Sequence, residues 1–291
     1  AALRAAYAAR GDAVSVVELI EKELARAESN LAQARLHAEL ARLQRDQLRD
    51  DVKAEASAKI AFELDPSNPD AQLVLGDVAY EGQRFIEACK YYETLVGRTA
   101  ALPKEDGLRV LLRFIEASAK LQPSMSSMPP SGSSPDLTPF SPPTGTKVAN
   151  PRVLVAVETL QKLAPTDLDS AARAAKAVFD FGDPTTARTM YEALFEKFGS
   201  KLVGQARAEA LYGLGESALR TGDNDAALKA LREAADADPS SPRPLCALAR
   251  VYEAKEDFKE SIRIRRRRLE MASGQERFEL LLEIGDLESQ K

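Results

Sequence analysis

Between Leu214 and Pro239 the chain reads LGESALRTGDNDAALKALREAADADP, and the spacing of its small and helix-ending residues dictates two short antiparallel helices. Counted from Gly215, the pair Gly222 and Asp223 begins seven residues on, Ala227 twelve, Ala234 nineteen and Pro239 twenty-four. Gly215 and Ala227 carry no bulk, so two helices can cross closely there. Gly222 admits a left-handed backbone and Asp223 offers a carboxylate to free amides, which ends one helix and starts the next. Pro239 stops the second helix, because its ring cannot continue the hydrogen-bond ladder. Such a hairpin has apolar surface on both sides and is stable only against neighbours.

The pattern recurs. Leu3, Tyr7, Gly11 and Asp12 mark a degenerate first helix and turn, with 14–27 as the second helix. The pair 31–48 and 52–64 follows, closed by Asp65 and Pro66. A well-kept copy comes next, with Leu75 and Gly76 followed by Phe85, Ala88, Tyr92 and Leu95; its turn glycine, Gly82, stands one residue early. Residues 107–121 read as a first helix, but 122–149 are Pro-, Ser-, Gly- and Thr-rich without periodicity. Pro151–Leu163 then supplies the missing second helix. Ile115 and Ala175, which correspond to Gly215, stand sixty residues apart. A repeat of about 34 residues leaves an excess of roughly 26, the length of the Pro/Ser-rich stretch. That stretch is therefore an expected insertion within one repeat. The pairs 171–181 and 184–198, the reference pair, and 245–253 with 258–271 complete the series, and 277–288 is a last first helix carrying Ile284 and Gly285.

These residues resemble the tetratricopeptide repeat (TPR). The resemblance implies an all-α, right-handed superhelical solenoid of TPR-like hairpins spanning 1–291, about seven and a half repeats with the first two degenerate. By the same resemblance the function is that of a protein–protein interaction scaffold or adaptor that takes a peptide or helical segment on its concave face. The Ala- and Arg-rich composition suggests a segment of a larger bacterial repeat protein. Two other classes stay open: a regulatory arm of a larger enzyme or sensor, and a helical-repeat scaffold of an RNA-processing complex.

The bulk numbers agree. An aromatic share of 6% and the absence of Trp suit thin Ala/Leu-packed helix pairs. A net charge of −5 weighs against nucleic acid or an anionic membrane as partner. Two cysteines, Cys89 and Cys246, make no disulfide framework and point to a reducing, cytoplasmic setting. No apolar run approaches the ~20 residues that span a bilayer, so membrane insertion is not expected.

No catalytic constellation is visible. His37, the single histidine, has no carboxylate or cysteine pattern around it. No phosphate-binding glycine loop, dinucleotide fingerprint or nucleophile elbow occurs. The chain is expected to be no enzyme and to need no cofactor or metal.

The family's groove positions fall on Asp77, Glu116, Lys176, Glu216, Arg250 and Asp286, with a companion row of Leu73, Leu112, Ala172, Tyr212, Cys246 and Leu282. The Lys and Asn pattern that grips a terminal carboxylate in one subset of the family is absent. Leu73, Asp77, Leu112, Glu116, Lys176, Tyr212, Glu216 and Arg250 are the expected partner-binding residues. They suggest a groove apolar at its floor and acidic over its first two-thirds, suited to a basic-apolar or helical ligand. Arg263, Arg266 and Arg267 form a candidate anion patch, with an ion-paired helix surface as the other reading. Leu137 and Phe140 offer a docking segment in the insertion, with a plain loop as the alternative. The last helix, lacking its second, is expected to expose Leu280, Leu281 and Ile284 and to permit end-to-end self-association.

Overall fold

The computed structural model describes Arg4, Tyr7, 9–121, 151–181 and 183–289; among these residues it has fourteen α-helices, one 3-10 turn at Thr99–Ala101 and no strand. They divide into two compact units between Pro165 and Thr166. The first unit holds α1 (Ala13–Leu24), α2 (Asn30–Asp46), α3 (Asp51–Leu64), α4 (Pro69–Glu81), α5 (Phe85–Val96), α6 (Lys104–Leu121) and α7 (Pro151–Leu163). The second holds α8 (Leu168–Phe181), α9 (Pro184–Phe198), α10 (Gly204–Arg220), α11 (Asn224–Ala237), α12 (Pro242–Ala254), α13 (Phe258–Leu269) and α14 (Gly274–Ser289).

Within each unit every helix packs on the next, and alternate helices touch as well: α2 on α4 and α4 on α6 in the first, α8 on α10 and α10 on α12 in the second. Each unit is thus a two-layer stack, with first helices in one layer and second helices in the other. Helices α6 and α7 pack on each other although residues 122–150 separate them in the chain.

The turns explain why the helices start where they do. Asp12, Asp50, Asp223 and Asp257 each cap a second helix, their carboxylates accepting from the backbone N–H three residues on. The residue before each cap is left-handed: Gly11 at φ 72°, Arg49 at 56°, Gly222 at 83° and Glu256 at 59°. The same slot before Arg84 belongs to Gln83, at φ 57°, while Gly82 keeps an ordinary φ of −76°. The early glycine of this turn therefore does not supply the left-handed residue.

The core is built from crossings of small on large residues. A Cβ on Gly76 would stand 2.7 Å from Tyr92 Cε1, and one on Gly215 would stand 2.6 Å from Leu231 Cγ. In both hairpins the covering side chain lies sixteen residues after the glycine. Tyr92, Leu231, Ala88 and Ala227 are buried. At the C-terminus, Leu280 and Ile284 are buried, whereas Phe278, Leu281 and Leu282 are exposed. The expected exposed trio is corrected accordingly: the 280/284 side of α14 faces inward because α13 packs on α14, and only Leu281 of the three faces out. No described helix is long and apolar enough to cross a membrane.

Candidate partner-binding rows

In the first unit the row centres on Asp77, whose side chain has no exposed surface. Arg45 from α2 donates to Asp77 Oδ2 at 2.6 Å, Arg113 from α6 donates to Oδ1 at 2.8 Å, and Arg109 Nε stands 3.1 Å from Oδ2. The Tyr92 hydroxyl donates to Oδ1 at 2.5 Å. Arg45 and Arg113 also reach Glu81, at 2.6 and 2.9 Å, so two arginines from neighbouring first helices bridge the same two carboxylates of α4. Burial and the adjacent Asp77 charge hold the Tyr92 phenol above its ordinary range, which keeps it a donor. Burial alone would raise Glu81, but Arg45 and Arg113 hold its carboxyl below the ordinary range. Arg42 links Asp70 at 2.7 Å to Asp106 at 2.9 Å and extends the network along the same helices. Glu116 is half-buried and accepts from the Tyr80 hydroxyl at 2.6 Å.

In the second unit Glu216 is 1% exposed. It receives Arg250 of α12 at 2.6 Å and Arg220 of its own helix at 3.4 Å. Arg250 keeps 52% of its side chain exposed, and Lys176 is exposed as well. Tyr212 is half-buried with the Arg243 guanidinium 4.4 Å from its ring centroid, and Arg220 stands 4.5 Å over Phe179. These stacked pairs present aromatic faces already occupied by cations.

The expected partner-binding set is therefore split. Leu73, Asp77, Leu112 and Glu216 are buried and are not available to a ligand. Glu116 and Tyr212 are half-buried, and Lys176 and Arg250 are exposed. The expectation of an acidic groove is corrected on physical grounds, because Asp77 and Glu216 are turned inward onto arginines from adjacent repeats. At the end of the row, Asp286 is an exposed carboxylate. Sequence reasoning missed Arg45, Arg109 and Arg113. A signal existed: Arg109 and Arg113 share one face of α6, four residues apart like Asp77 and Glu81 on α4.

The candidate anion patch is largely neutralised. Arg263 pairs with Glu260 at 3.4 Å and Arg266 with Glu288 at 2.6 Å, while all three side chains of the trio remain exposed. Their neighbours Arg265 and Arg268 are engaged with Glu253, Glu283 and Glu276. The basic run thus binds this chain's own carboxylates in α12, α13 and α14. Leu137 and Phe140 lie outside the described residues. Among the described residues no cluster of His, Cys, Asp and Glu could hold a metal ion.

No curated protein matches the sequence. Among solved structures, YrrB, described as a TPR protein with an unusual peptide-binding site, is 17% identical, with 79% of this chain and 98% of that chain covered and a TM-score of 0.54. The structure of Naa15/Naa10 bound to HypK-THB is 14% identical, covering 98% of this chain and 38% of that one, with a TM-score of 0.57. Yeast Tom70 is 14% identical, with coverage of 96% and 59% and a TM-score of 0.47, so the chain spans little more than half of that protein's length. The tetratricopeptide repeat family model matches residues 53–104 and 172–242, the segments in which the Gly76 and Gly215 crossings lie. With stacked hairpins in both units and the family's signature in each, residues 53–104 and 172–242 are tetratricopeptide repeats.

Proposed function

We propose that the chain is a non-catalytic scaffold that binds a peptide or helical segment of a protein partner along its first-helix rows. The tetratricopeptide repeat fold is a general protein–protein interaction scaffold. The observation that carries the finer reading is the contrast within the second unit between the withdrawn carboxylate Glu216 and the exposed cations Lys176 and Arg250. Held by arginines of neighbouring repeats, the buried acids stiffen the rows, which reduces the ordering cost of binding. What remains exposed favours an acidic-apolar segment over the basic-apolar one that residue types alone suggest. Residues 122–149 are an insertion carried by the α6–α7 hairpin in this reading.

Panning a random peptide library displayed on phage against the whole chain tests this. Enrichment of sequences with net negative charge and apolar side chains, weakened by Lys176→Glu, is the expected result. Enrichment of basic sequences, or none above background, overturns the reading.

A further inference from the structure

Gly285 holds in α14 the crossing position that Gly76 and Gly215 hold in α4 and α10. At those two glycines an added Cβ would stand 2.7 Å from Tyr92 and 2.6 Å from Leu231, whereas a Cβ on Gly285 would meet nothing within 4 Å. The residues around Gly285 are bare as well. Leu211 and Leu245, four positions before the crossing in α10 and α12, are buried, but Leu281 at that position of α14 is exposed, together with Phe278 and Leu282. Phe278, Leu281, Leu282 and Gly285 follow at i, i+3, i+4 and i+7, one continuous stripe distinct from the buried side that carries Leu280 and Ile284.

The stripe is symmetric about its own middle: Phe278 lies three residues before Leu281, and Gly285 three residues after Leu282. Two copies of α14 laid antiparallel, with Leu281 of each beside Leu282 of the other, therefore bring Phe278 of each helix over Gly285 of the other. That is the large-on-glycine contact the fold already uses at Tyr92 and Leu231, made twice by one two-fold axis. Charge favours the same orientation. The C-terminal half of α14 carries Glu283, Asp286 and Glu288 and no cation, while Arg277 stands in the N-terminal half. Antiparallel packing sets the acidic half against the half with Arg277 and opposes the two helix dipoles, where a parallel pair would set acid on acid.

We infer that a second copy of this chain covers this face, giving a two-fold dimer paired through antiparallel α14 helices. With 16 residues α14 presents a face about 24 Å long and 10 Å wide, so the pair buries less than the ~800 Å² per partner of a standard interface. The dimer is accordingly reversible. It is also closed: a two-fold axis uses the same patch on both copies and stops at two, whereas end-to-end stacking joins unlike surfaces and continues into a filament. The pairing is independent of what the first-helix rows bind.

Sedimentation velocity of the whole chain over a concentration series tests the dimer. It should appear above about 10 μM and dominate by about 1 mM, the range of a small interface. Gly285→Leu is the decisive variant. Within one copy the space around residue 285 is open, so the substitution leaves the fold intact, yet it fills the hollow that Phe278 of the other copy needs. Dimerisation should weaken at least about tenfold. A face that associates through apolar area alone would instead associate more strongly with the added leucine. Phe278→Ala should weaken the dimer to a similar extent, and circular dichroism melts of dilute samples verify that both variants are folded. A chain still monomeric at about 1 mM, which leaves the face to some other helix, overturns the proposal. So does association that both substitutions leave unchanged, association that Gly285→Leu strengthens, or growth beyond the dimer.

Discussion

Gly215 lies directly beneath Leu231: a Cβ at residue 215 would meet Leu231 Cγ at 2.6 Å, Cδ2 at 2.9 Å and the Leu231 backbone N at 3.2 Å. Small size is what the position needs, and alanine is already too large. Helix propensity alone favours Gly215→Ala, yet Cγ is a branch point and not the mobile end of a side chain, so α11 must shift. Gly215→Ala is expected to destabilise by about 1–3 kcal/mol. Gly285, at the same position of α14, has nothing within 4 Å of an added Cβ. There the same substitution should stabilise by up to about 1 kcal/mol through propensity. Thermal melts of the two variants should move in opposite directions.

Gln83 and Glu256 occupy the left-handed slot that Gly222 fills in the reference turn. A side chain there costs about 1–2 kcal/mol in backbone strain, partly offset by the greater freedom glycine has when unfolded. Gln83→Gly and Glu256→Gly should each stabilise by about 0.5–1 kcal/mol. Gly222→Gln should reverse the sign. Urea unfolding of the three variants would check the assignment, and a loss in the first two would contradict it.

Most of the fold was legible in the sequence because its determinants are local. Pro151–Leu163 has the bounds read from its prolines and apolar spacing, and the turns at Asp12 and Asp223 were marked by residues that cap helices in any context. The rows were legible only as positions. Whether Asp77 faces solvent or an arginine depends on Arg113, thirty-six residues away on the next hairpin, and on how closely the hairpins stack.

The helix caps make stability depend on acid. Asp12 is held below the ordinary carboxylate range by the Ser15 hydroxyl and N–H, Asp50 by the Lys53 N–H and side chain, and Asp223 by the Ala226 N–H and Arg188. A pKa depressed on folding contributes stability that is complete above the unfolded value and is lost as pH falls through the folded one. Tm should therefore fall as pH drops below about 4. Asn caps as well as Asp but does not titrate. Replacing all three by Asn should flatten that acid limb of the Tm profile while leaving helix content at neutral pH unchanged; an equally steep limb would place the acid sensitivity elsewhere.

Asp77 offers the sharpest energetic contrast. Its carboxylate is fully buried and receives Arg45, Arg113 and the Tyr92 hydroxyl, with Arg109 beside it. Asp77→Ala would leave these groups converging on an empty site, and breaking a buried pair by removing one partner costs about 3–5 kcal/mol. Tyr92→Phe removes one donor and leaves the charges paired, so its cost should stay near 1–2 kcal/mol. Asp225 provides the control: it pairs with Lys255 at 2.5 Å, but 86% of its side chain is exposed. An exposed pair contributes under about 1 kcal/mol and is screened by salt. Chemical denaturation of Asp77→Ala, Tyr92→Phe and Asp225→Ala should rank in that order, with the first insensitive to added salt. If Asp77→Ala unfolds no more easily than Asp225→Ala, the arginines do not clamp α4 between α2 and α6, and the rigidity attributed to that row has another source.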